Sequence, residues 1–345
     1  MKGLAISFIA LHNFLHLDTF GFVKENENTF SLNRTYQFFD NLKNFEWSVV
    51  GDLFSFVGWI GVPVFLFISG YGLIRKYEIQ GGEELESGIY VCSSFRKLFL
   101  LMLPAVLVFM AINLIRGDWG GVGRNILSLT LMNNFVIPWF PIEPGAYWYF
   151  GLTFELYLLY LLIRKWNVNG LLILGGGFIV FQFVMGYYGA WESNAWSVTR
   201  HNFTGWGHLF LLGMIAGKTN LMRFLPCRTL PQALLCLGVF VLIPILNLNY
   251  AVWLITVPFA GLLFFILLAA IFEKNKLLRK IGLWLGKYSA FIFVCHPIVR
   301  RFIINPVFSA VPIIVRVVVY IVAFLICAVL YEKLYGYMMK SEFLE

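Results

Sequence analysis

The chain has 345 residues, of which 60% are hydrophobic, 18% are aromatic and only 13% are charged. Soluble globular domains carry about 25% charged residues, so this composition excludes an ordinary soluble protein and indicates an all-α, polytopic membrane protein. The net charge of +8 does not indicate nucleic acid as a partner, because the basic residues form short clusters between apolar segments, as cytoplasmic loops do.

About ten apolar segments are long enough to be transmembrane helices, since the bilayer core takes about 20 residues. In chain order they are 3–20, 49–74, 98–115, 146–163, 168–189, 204–217, 231–249, 251–272, 281–303 and 311–334. Most basic residues, Arg223 and Arg228 among them, then fall on one side, which the positive-inside rule makes the cytoplasm. The sequence therefore predicts a multi-pass protein of the cell inner or plasma membrane with both termini cytoplasmic.

The first segment carries two histidines, His12 and His16, which are four residues apart and so share one face of the predicted helix. An imidazole inside a bilayer is costly unless it faces a cavity, a partner or water, so this pair is a candidate functional site. The segment has one basic residue and no small-residue cleavage site before Asp18, which favours a retained span over a signal peptide.

The second segment ends in small residues followed by a basic pair. One side of the helix has only small side chains, at Ser69, Gly70 and Gly72. Close packing against another helix is the simplest interpretation. Arg75 and Lys76 follow at the predicted cytoplasmic end. A guanidinium there can hold a phosphate or pyrophosphate by paired hydrogen bonds, or it can act only as a positive-inside anchor.

Three loops fall on the predicted outer side, namely 20–48, 116–145 and 190–203. Within the second, the stretch 124–140 contains Asn133 and Asn134 and prolines, which favours a helix that lies at the interface or re-enters the membrane. Several tryptophans, including Trp47 and Trp191, lie near predicted outer ends, as in an aromatic belt. No soluble domain or long linker interrupts the chain, so residues 1–345 are predicted to form a single integral-membrane domain.

A lone carboxylate, Glu155, lies near the middle of the fourth apolar segment. Its desolvation requires a partner or protonation, and the candidate partners are His12, His16, His208 or a substrate hydroxyl. A protonated glutamate that only links two helices is the structural alternative.

His296 precedes Pro297 in the ninth segment, so it is either a site residue or the partner of a turn that the proline loosens. Arg200 and His201 form an outer polar pair upstream of His208.

The cysteines fall singly, without the spacing of a disulfide framework or a zinc site, and we expect no metal. No nucleotide-binding loop, zinc-protease motif or nucleophile elbow is present.

Five stretches together resemble the integral-membrane acyltransferase family 3, whose ten-span members acylate bacterial surface polysaccharides and related acceptors. The stretches are KGLAISFIALHN in the first segment, FLFISGYGLIRK in the second, YWYFGLTFELYLLY in the fourth, HLFLLGMIAGK from His208, and GKYSAFIFVCHPI in the ninth. The resemblance implies transfer of an acyl group, usually acetyl, from cytoplasmic acetyl-CoA or another acyl-CoA to a hydroxyl of an extracytoplasmic polysaccharide or glycolipid.

The family pattern in the first segment is a basic residue, usually arginine, followed eleven positions later by an essential histidine. Here Lys2 takes the basic position, Asn13 comes eleven positions later and His12 ten. At about 100° per residue, Asn13 lies within about 20° of Lys2, His16 about 40° to one side and His12 about 80°. Depth along the helix axis favours His12, which lies only one residue, about 1.5 Å, from the position of the family's histidine. His12 is therefore the preferred base, and His16 is its alternative or partner. Glu155 also departs from the family, which has an amide or another polar residue at that place.

The residues assigned to the reaction fall into three groups. The catalytic candidates are His12, His16 and Glu155; the CoA-binding candidates are Lys2, Arg75 and Lys76; and the acceptor-binding candidates are Asn13, Trp148, Tyr149, His208 and His296. An imidazole can remove the acceptor's hydroxyl proton near neutral pH, and aromatic rings can stack on a sugar. A proton-coupled transporter or flippase of a polar lipid or sugar is the alternative function, and a structural scaffold comes third. A homodimer is included among the candidate partners, besides the lipid bilayer.

Overall fold

The computed structural model describes residues 1–17, 20–43, 48–80, 85–189, 193–219, 229–308 and 310–340. None of these residues lies in a β-strand, which confirms the all-α fold class. The helices are α1 (Lys2–Leu15), α2 (Leu32–Lys43), α3 (Val49–Ile79), α4 (Ser87–Ile115), α5 (Trp119–Leu129), α6 (Gly145–Ile163), α7 (Val168–Gly189), α8 (Asn194–His201), α9 (Phe203–Thr219), α10 (Thr229–Leu246), α11 (Tyr250–Lys274), α12 (Lys276–Val307) and α13 (Ile313–Lys340).

Each of the ten predicted segments coincides with one of these helices. Seven helices in the described part of the chain are long and apolar enough to cross a membrane, namely α3, α4, α6, α7, α11, α12 and α13. Helix α1 is shorter than predicted, because it ends at Leu15 rather than at residue 20. Its 14 residues extend about 21 Å, less than the roughly 30 Å of a bilayer core. The number of spans and the side of the termini stay predictions.

The loops that were predicted to lie on the outer side contain more helix than expected. Helices α2 and α8 form within 20–48 and 190–203, both of which were expected to be loops. The helix predicted over 124–140 is found only in part, since α5 begins at Trp119 and ends at Leu129. Leu131, just after its end, has a φ of 58°, in the left-handed region. The predicted interface residues Trp47 and Trp191 and the predicted cytoplasmic residues Arg223 and Arg228 lie outside the described residues.

The chain divides into two compact units, neither of which is continuous in sequence. The first unit comprises Met1–Glu83, Ile163–Arg200 and Thr204–Lys287, and the second comprises Glu84–Leu162, His201–Phe203 and Tyr288–Glu345. The single domain over 1–345 stays a prediction.

Glycines allow close helix packing in the first unit. The Cβ position of Gly70 on α3 is occupied by the backbone oxygen of Phe210, and that of Gly213 on α9 by the backbone oxygen of Phe67. A side chain at either position would separate the two helices, which supports the packing interpretation for Gly70. Gly72 differs, since nothing lies within 4 Å of its Cβ position.

In the second unit, a tyrosine hydroxyl inserts between two backbone groups of α4 and replaces their hydrogen bond. Tyr331 donates a hydrogen bond to the carbonyl of Leu101 at 2.8 Å and accepts one from the N–H of Ala105 at 3.2 Å. These two backbone groups would pair with each other in a regular helix, and the insertion lies beside Pro104, where a kink is expected. The core around it is formed by Leu98, Met102, Ala105, Val106, Leu131, Tyr147, Phe150, Phe154, Val294, Cys295 and Tyr331.

Candidate active site

Two imidazole rings lie side by side at the end of α1, in the first unit. His12 is 4% exposed on the last turn, and His16 caps the helix directly after its last residue, Leu15. The ring centroids are 4.0 Å apart and the ring planes are inclined by 56°. The four-residue spacing therefore brings both imidazoles into contact, as neighbours on one helix face.

The backbone of α3 fixes the orientation of His16. Its Nε2 atom lies 2.9 Å from the carbonyl oxygen of Ser55, which can only accept a hydrogen bond. The neutral ring must therefore carry its hydrogen on Nε2, and its Nδ1 atom keeps a lone pair.

A glycine on α3 permits the close approach that places His12. The Cβ position of Gly58 lies 2.5 Å from Cβ of His12 and 2.9 Å from the carbonyl oxygen of Phe8. Any larger residue at this point of α3 would push α1 away. The helix is locally wound as a 3₁₀ turn over Gly58–Ile60.

The predicted CoA-binding cations Lys2 and Arg75 lie at different levels. Helices α1 and α3 are antiparallel, and the carbonyl oxygen of Ala5 is 2.6 Å from the Cβ position of Gly61. Lys2 precedes Ala5 by three residues and Arg75 follows Gly61 by fourteen, so at about 1.5 Å per residue Arg75 lies about 16 Å beyond Lys2 along the helix axis. Only an extended ligand could contact both cations.

Further charges cluster near the end of α3. Lys76 is exposed, and its Nζ atom lies 4.7 Å from the centre of the Tyr77 ring. Arg164 forms an ion pair with Glu78 at 3.5 Å, and the Nζ atom of Lys218 donates to the carbonyl of Arg164 at 2.9 Å. Glu78 therefore neutralises part of the positive charge in this region.

Two of the predicted acceptor-binding residues in the first unit have different surroundings. The side-chain amide of Asn13 donates to the carbonyl of Ile9 in its own helix at 3.0 Å. His208 is 5% exposed, its ring centre lies 5.8 Å from that of Phe259, and neither ring nitrogen has a hydrogen-bond partner among the described residues. Because buried polar groups are normally hydrogen-bonded, His208 is the better candidate to bind a substrate hydroxyl.

Glu155 of α6 is held by groups of its own unit, the second. It is 6% exposed, and its Oε2 atom accepts a hydrogen bond from the backbone N–H of Phe203 at 2.8 Å. The side-chain amide of Asn134 donates to Oε1 at 3.4 Å, and also to the carbonyls of Trp148 at 3.0 Å and His201 at 2.8 Å. The partners of Glu155 in the described structure are thus a backbone N–H and an amide. A substrate hydroxyl as a further partner stays a prediction.

The aromatic acceptor-binding candidates of the second unit are largely covered. Trp148 is 5% exposed and its ring meets that of His201 edge to face, with centroids 5.6 Å apart. Tyr149 is half-buried, and its ring centre lies 5.5 Å from that of Phe293. Tyr149 therefore offers more ring surface to a sugar than Trp148 does.

The structural interpretation of His296 is supported by its contact. The ring is 1% exposed, and its Nδ1 atom lies 3.3 Å from the carbonyl oxygen of Ile292, one turn earlier in α12. A π-helical turn, Val299–Ile304, begins two residues after Pro297. The histidine therefore binds the backbone just before the point where the proline interrupts the helix.

Arg200, which the sequence places in an outer polar pair with His201, is buried. It is 0% exposed, and its guanidinium donates to the carbonyls of Glu27 at 3.0 and 3.1 Å and Gly205 at 3.0 Å. The guanidinium carbon also lies 4.2 Å from the ring centre of Trp206 and 5.1 Å from that of Trp253. Arg200 therefore links the outer loop to the first unit's core.

Sequence reasoning missed two residues that position the candidate site. Ser55 acts through its backbone carbonyl, for which the sequence contains no indication. Asn134 belongs to the asparagine pair of the outer region, and an amide between apolar residues was the available indication. No group of three or more His, Cys, Asp or Glu side chains suited to a metal ion occurs among the described residues.

An all-α chain with several membrane-crossing helices and buried histidines is a multi-pass membrane protein. Residues 1–332 match the acyltransferase 3 family, described as an acyltransferase domain, and the chain belongs to this family. The protein is therefore a membrane acyltransferase. Comparison with curated proteins and with solved structures found no match.

Proposed function

We propose that the protein is an O-acyltransferase that moves an acyl group, acetyl in the first instance, from cytoplasmic acyl-CoA to a hydroxyl of an extracytoplasmic glycan or glycolipid. The observation that carries this proposal is the contact between the rings of His12 and His16, whose centroids are 4.0 Å apart, in a chain of the acyltransferase 3 family. Acyl transfer to an alcohol requires a base, and neutral imidazole is suited to this role near pH 7.

In the proposed reaction, His12 accepts the proton of the acceptor hydroxyl as that oxygen bonds to the thioester carbonyl carbon. The carbon–sulfur bond then breaks, CoA leaves as a thiolate, and the proton on His12 passes to the sulfur. His16 carries its hydrogen on Nε2 and therefore keeps a lone pair on Nδ1. That lone pair stabilises the positive charge that His12 acquires, so His16 is a positioning residue in this proposal.

The donor would enter from the cytoplasmic side of the predicted topology. Lys2, Arg75 and Lys76 are the cations assigned to its phosphates, and the axial separation of about 16 Å between Lys2 and Arg75 suits a long ligand such as CoA. His208, with two unpaired ring nitrogens in the described structure, is the candidate for binding an acceptor hydroxyl.

Replacement of single histidines tests the proposal. Membrane vesicles from cells that express the wild type, His12→Ala or His16→Ala receive radiolabelled acetyl-CoA on the cytoplasmic face, and label in the glycolipid and glycan fraction is measured. We expect His12→Ala to lose transfer by a factor of about 100 or more, the range of a missing general base. His16→Ala should retain measurable transfer with an altered pH profile.

A variant at the other end of α3 controls for insertion and accumulation. Gly72→Ala adds a methyl where nothing lies within 4 Å, so its accumulation and activity should equal those of the wild type. Undiminished transfer in His12→Ala, with loss in His16→Ala, would move the base to His16. Undiminished transfer in both variants would overturn the proposed mechanism.

A further inference from the structure

A cavity of about 410 Å³ lies within the second unit, between the segment after α5 and the π-helical turn of α12. Its lining is formed by Phe109, Arg124, Pro141, Ile142, Glu143, Pro144, Gly145, Pro297, Arg300 and Arg301. Three guanidinium groups and one carboxylate thus line the same space. None of these residues belongs to the candidate active site described above.

The single carboxylate of the lining holds two of the arginines in position. Glu143 is 7% exposed and forms ion pairs with Arg301 and, at 3.1 Å, with Arg124. Arg124 also pairs with Asp118 at 3.3 Å, outside the lining. Guanidinium groups present paired donors to an anion. Here Glu143 holds the guanidinium groups of Arg124 and Arg301 next to each other in the cavity wall.

The π-helical turn Val299–Ile304 brings two consecutive arginines to the cavity. In a regular α-helix neighbouring residues point about 100° apart, and the wider π turn reduces this angle. Arg300 and Arg301 both line the cavity, and the Arg301 guanidinium also lies 5.7 Å from the ring centre of Phe109. The lining carries three positive charges and one negative charge, so its field favours an anion.

We propose that this cavity binds an anionic group, a carboxylate or a phosphate, of the acyl acceptor. The proposal rests on the proposed function, because the acceptor hydroxyl is assigned to the outer side. The cavity lies on that side in the predicted topology, since Arg124 and Glu143 belong to the outer region 116–145 and Arg300 lies near the outer end of the ninth predicted span, 281–303. The acceptor class is therefore an acidic glycan or a phosphate-linked glycolipid.

Anion binding can be measured without any acyl transfer. The purified full chain in nanodiscs of phosphatidylcholine is titrated with sodium phosphate against sodium chloride at equal ionic strength, and the thermal midpoint gives the apparent Kd. We expect phosphate to raise the midpoint, and Arg300→Gln or Arg301→Gln to weaken the apparent Kd about tenfold or more. Glu143→Gln should strengthen phosphate binding, because a competing negative charge is removed.

Arg116→Gln is the matched control, because Arg116 is an exposed arginine of the same outer region and does not line the cavity. This variant should bind phosphate as the wild type does. An equal effect of phosphate and chloride would overturn the proposal, and so would an equal loss in Arg116→Gln. If Glu143→Gln fails to fold, the comparison of Arg301→Gln with Arg116→Gln decides alone.

A second pair of measurements separates the acceptor from a lipid headgroup. The phosphate titration of the wild type is repeated in nanodiscs that contain phosphatidylglycerol. If phosphate still raises the thermal midpoint, the result supports a site for the acceptor. If phosphate no longer raises it, the lipid headgroup occupies the cavity, and the proposal that the acceptor binds there is overturned. Absence of phosphate binding contradicts only the cavity proposal. Undiminished acyl transfer in both histidine variants contradicts only the proposed mechanism, so the two failures are distinguishable.

Discussion

The Oε2 atom of Glu155 accepts a hydrogen bond from the backbone N–H of Phe203 at 2.8 Å. Phe203 is the first residue of α9, and the first N–H groups of a helix have no partner within it. A carboxylate at this place satisfies one such donor and interacts favourably with the helix dipole. Glu155 therefore has a structural task besides the catalytic one assigned to it from the sequence.

Two substitutions separate these tasks of Glu155. Glu155→Ala removes both acceptor atoms and leaves the N–H of Phe203 unpaired, which should destabilise the protein by about 1–3 kcal/mol. The amide of Asn134 keeps the carbonyls of Trp148 and His201 as acceptors. Glu155→Gln keeps one acceptor oxygen for Phe203, so the protein should accumulate almost as the wild type does. Thermal midpoints and transfer rates of both variants provide the measurement. Normal accumulation of Glu155→Gln without activity assigns Glu155 to catalysis, whereas full activity shows that its charge is dispensable.

The place of His12 depends on Gly58. In Gly58→Ala the new methyl would lie 2.5 Å from Cβ of His12 and 2.9 Å from the carbonyl oxygen of Phe8, so α1 must shift. Such overpacking costs about 1–3 kcal/mol, and displacement of the imidazole should lower acyl transfer at least tenfold. Gly72→Ala, on the same helix, is the control. Equal activity of the two variants would show that His12 needs no close approach to α3.

A buried carboxylate in the predicted outer loop makes the stability of the first unit depend on pH. Glu25 is 1% exposed and pairs with Arg34 at 3.0 Å, yet burial outweighs this cation and raises the pKa of Glu25 to about 7, from 4.5. Between these pH values the folded state binds more protons than the unfolded state, so stability falls as pH rises from about 5 to about 8. The largest contribution, for a shift of this size, is about 3 kcal/mol.

Thermal midpoints of the wild type and of Glu25→Gln across this pH range test the assignment. The wild-type midpoint should fall as pH rises through 7, and the neutral glutamine should remove most of that fall. An identical pH dependence in both proteins would assign the effect to another group.

The positions of the membrane helices could be read from the sequence, because each is a run of apolar residues long enough to recognise by itself. The contact of His12 with His16 followed from their spacing on one helix. The partners of Glu155 did not follow, since Asn134 and Phe203 are 21 and 48 residues away along the chain. Pairings at such separations depend on how helices pack, and no local pattern encodes them.

The burial of Arg200 was also hidden from the sequence, because a charged residue between predicted spans is normally expected in water. Its guanidinium is accommodated only because two carbonyls and two indole rings surround it, and these come from the outer loop, α9 and α11. Helices α2 and α8 were missed for a related reason. They are short and polar on average, and in isolation such segments resemble loops.

Arg200→Lys tests whether this buried cation depends on the shape of its head group. Burial lowers the pKa of Arg200 to about 10, so the arginine stays charged at neutral pH. A lysine ammonium cannot donate in one plane to the carbonyls of Glu27 and Gly205 while it lies flat against Trp206. We expect a loss of about 2–4 kcal/mol, measured as a lower thermal midpoint. The exposed Arg116 provides the control, since Arg116→Lys keeps the charge and should leave the midpoint unchanged. If Arg200→Lys were as stable as Arg116→Lys, positive charge alone would hold the outer loop, and the planar contacts would contribute little.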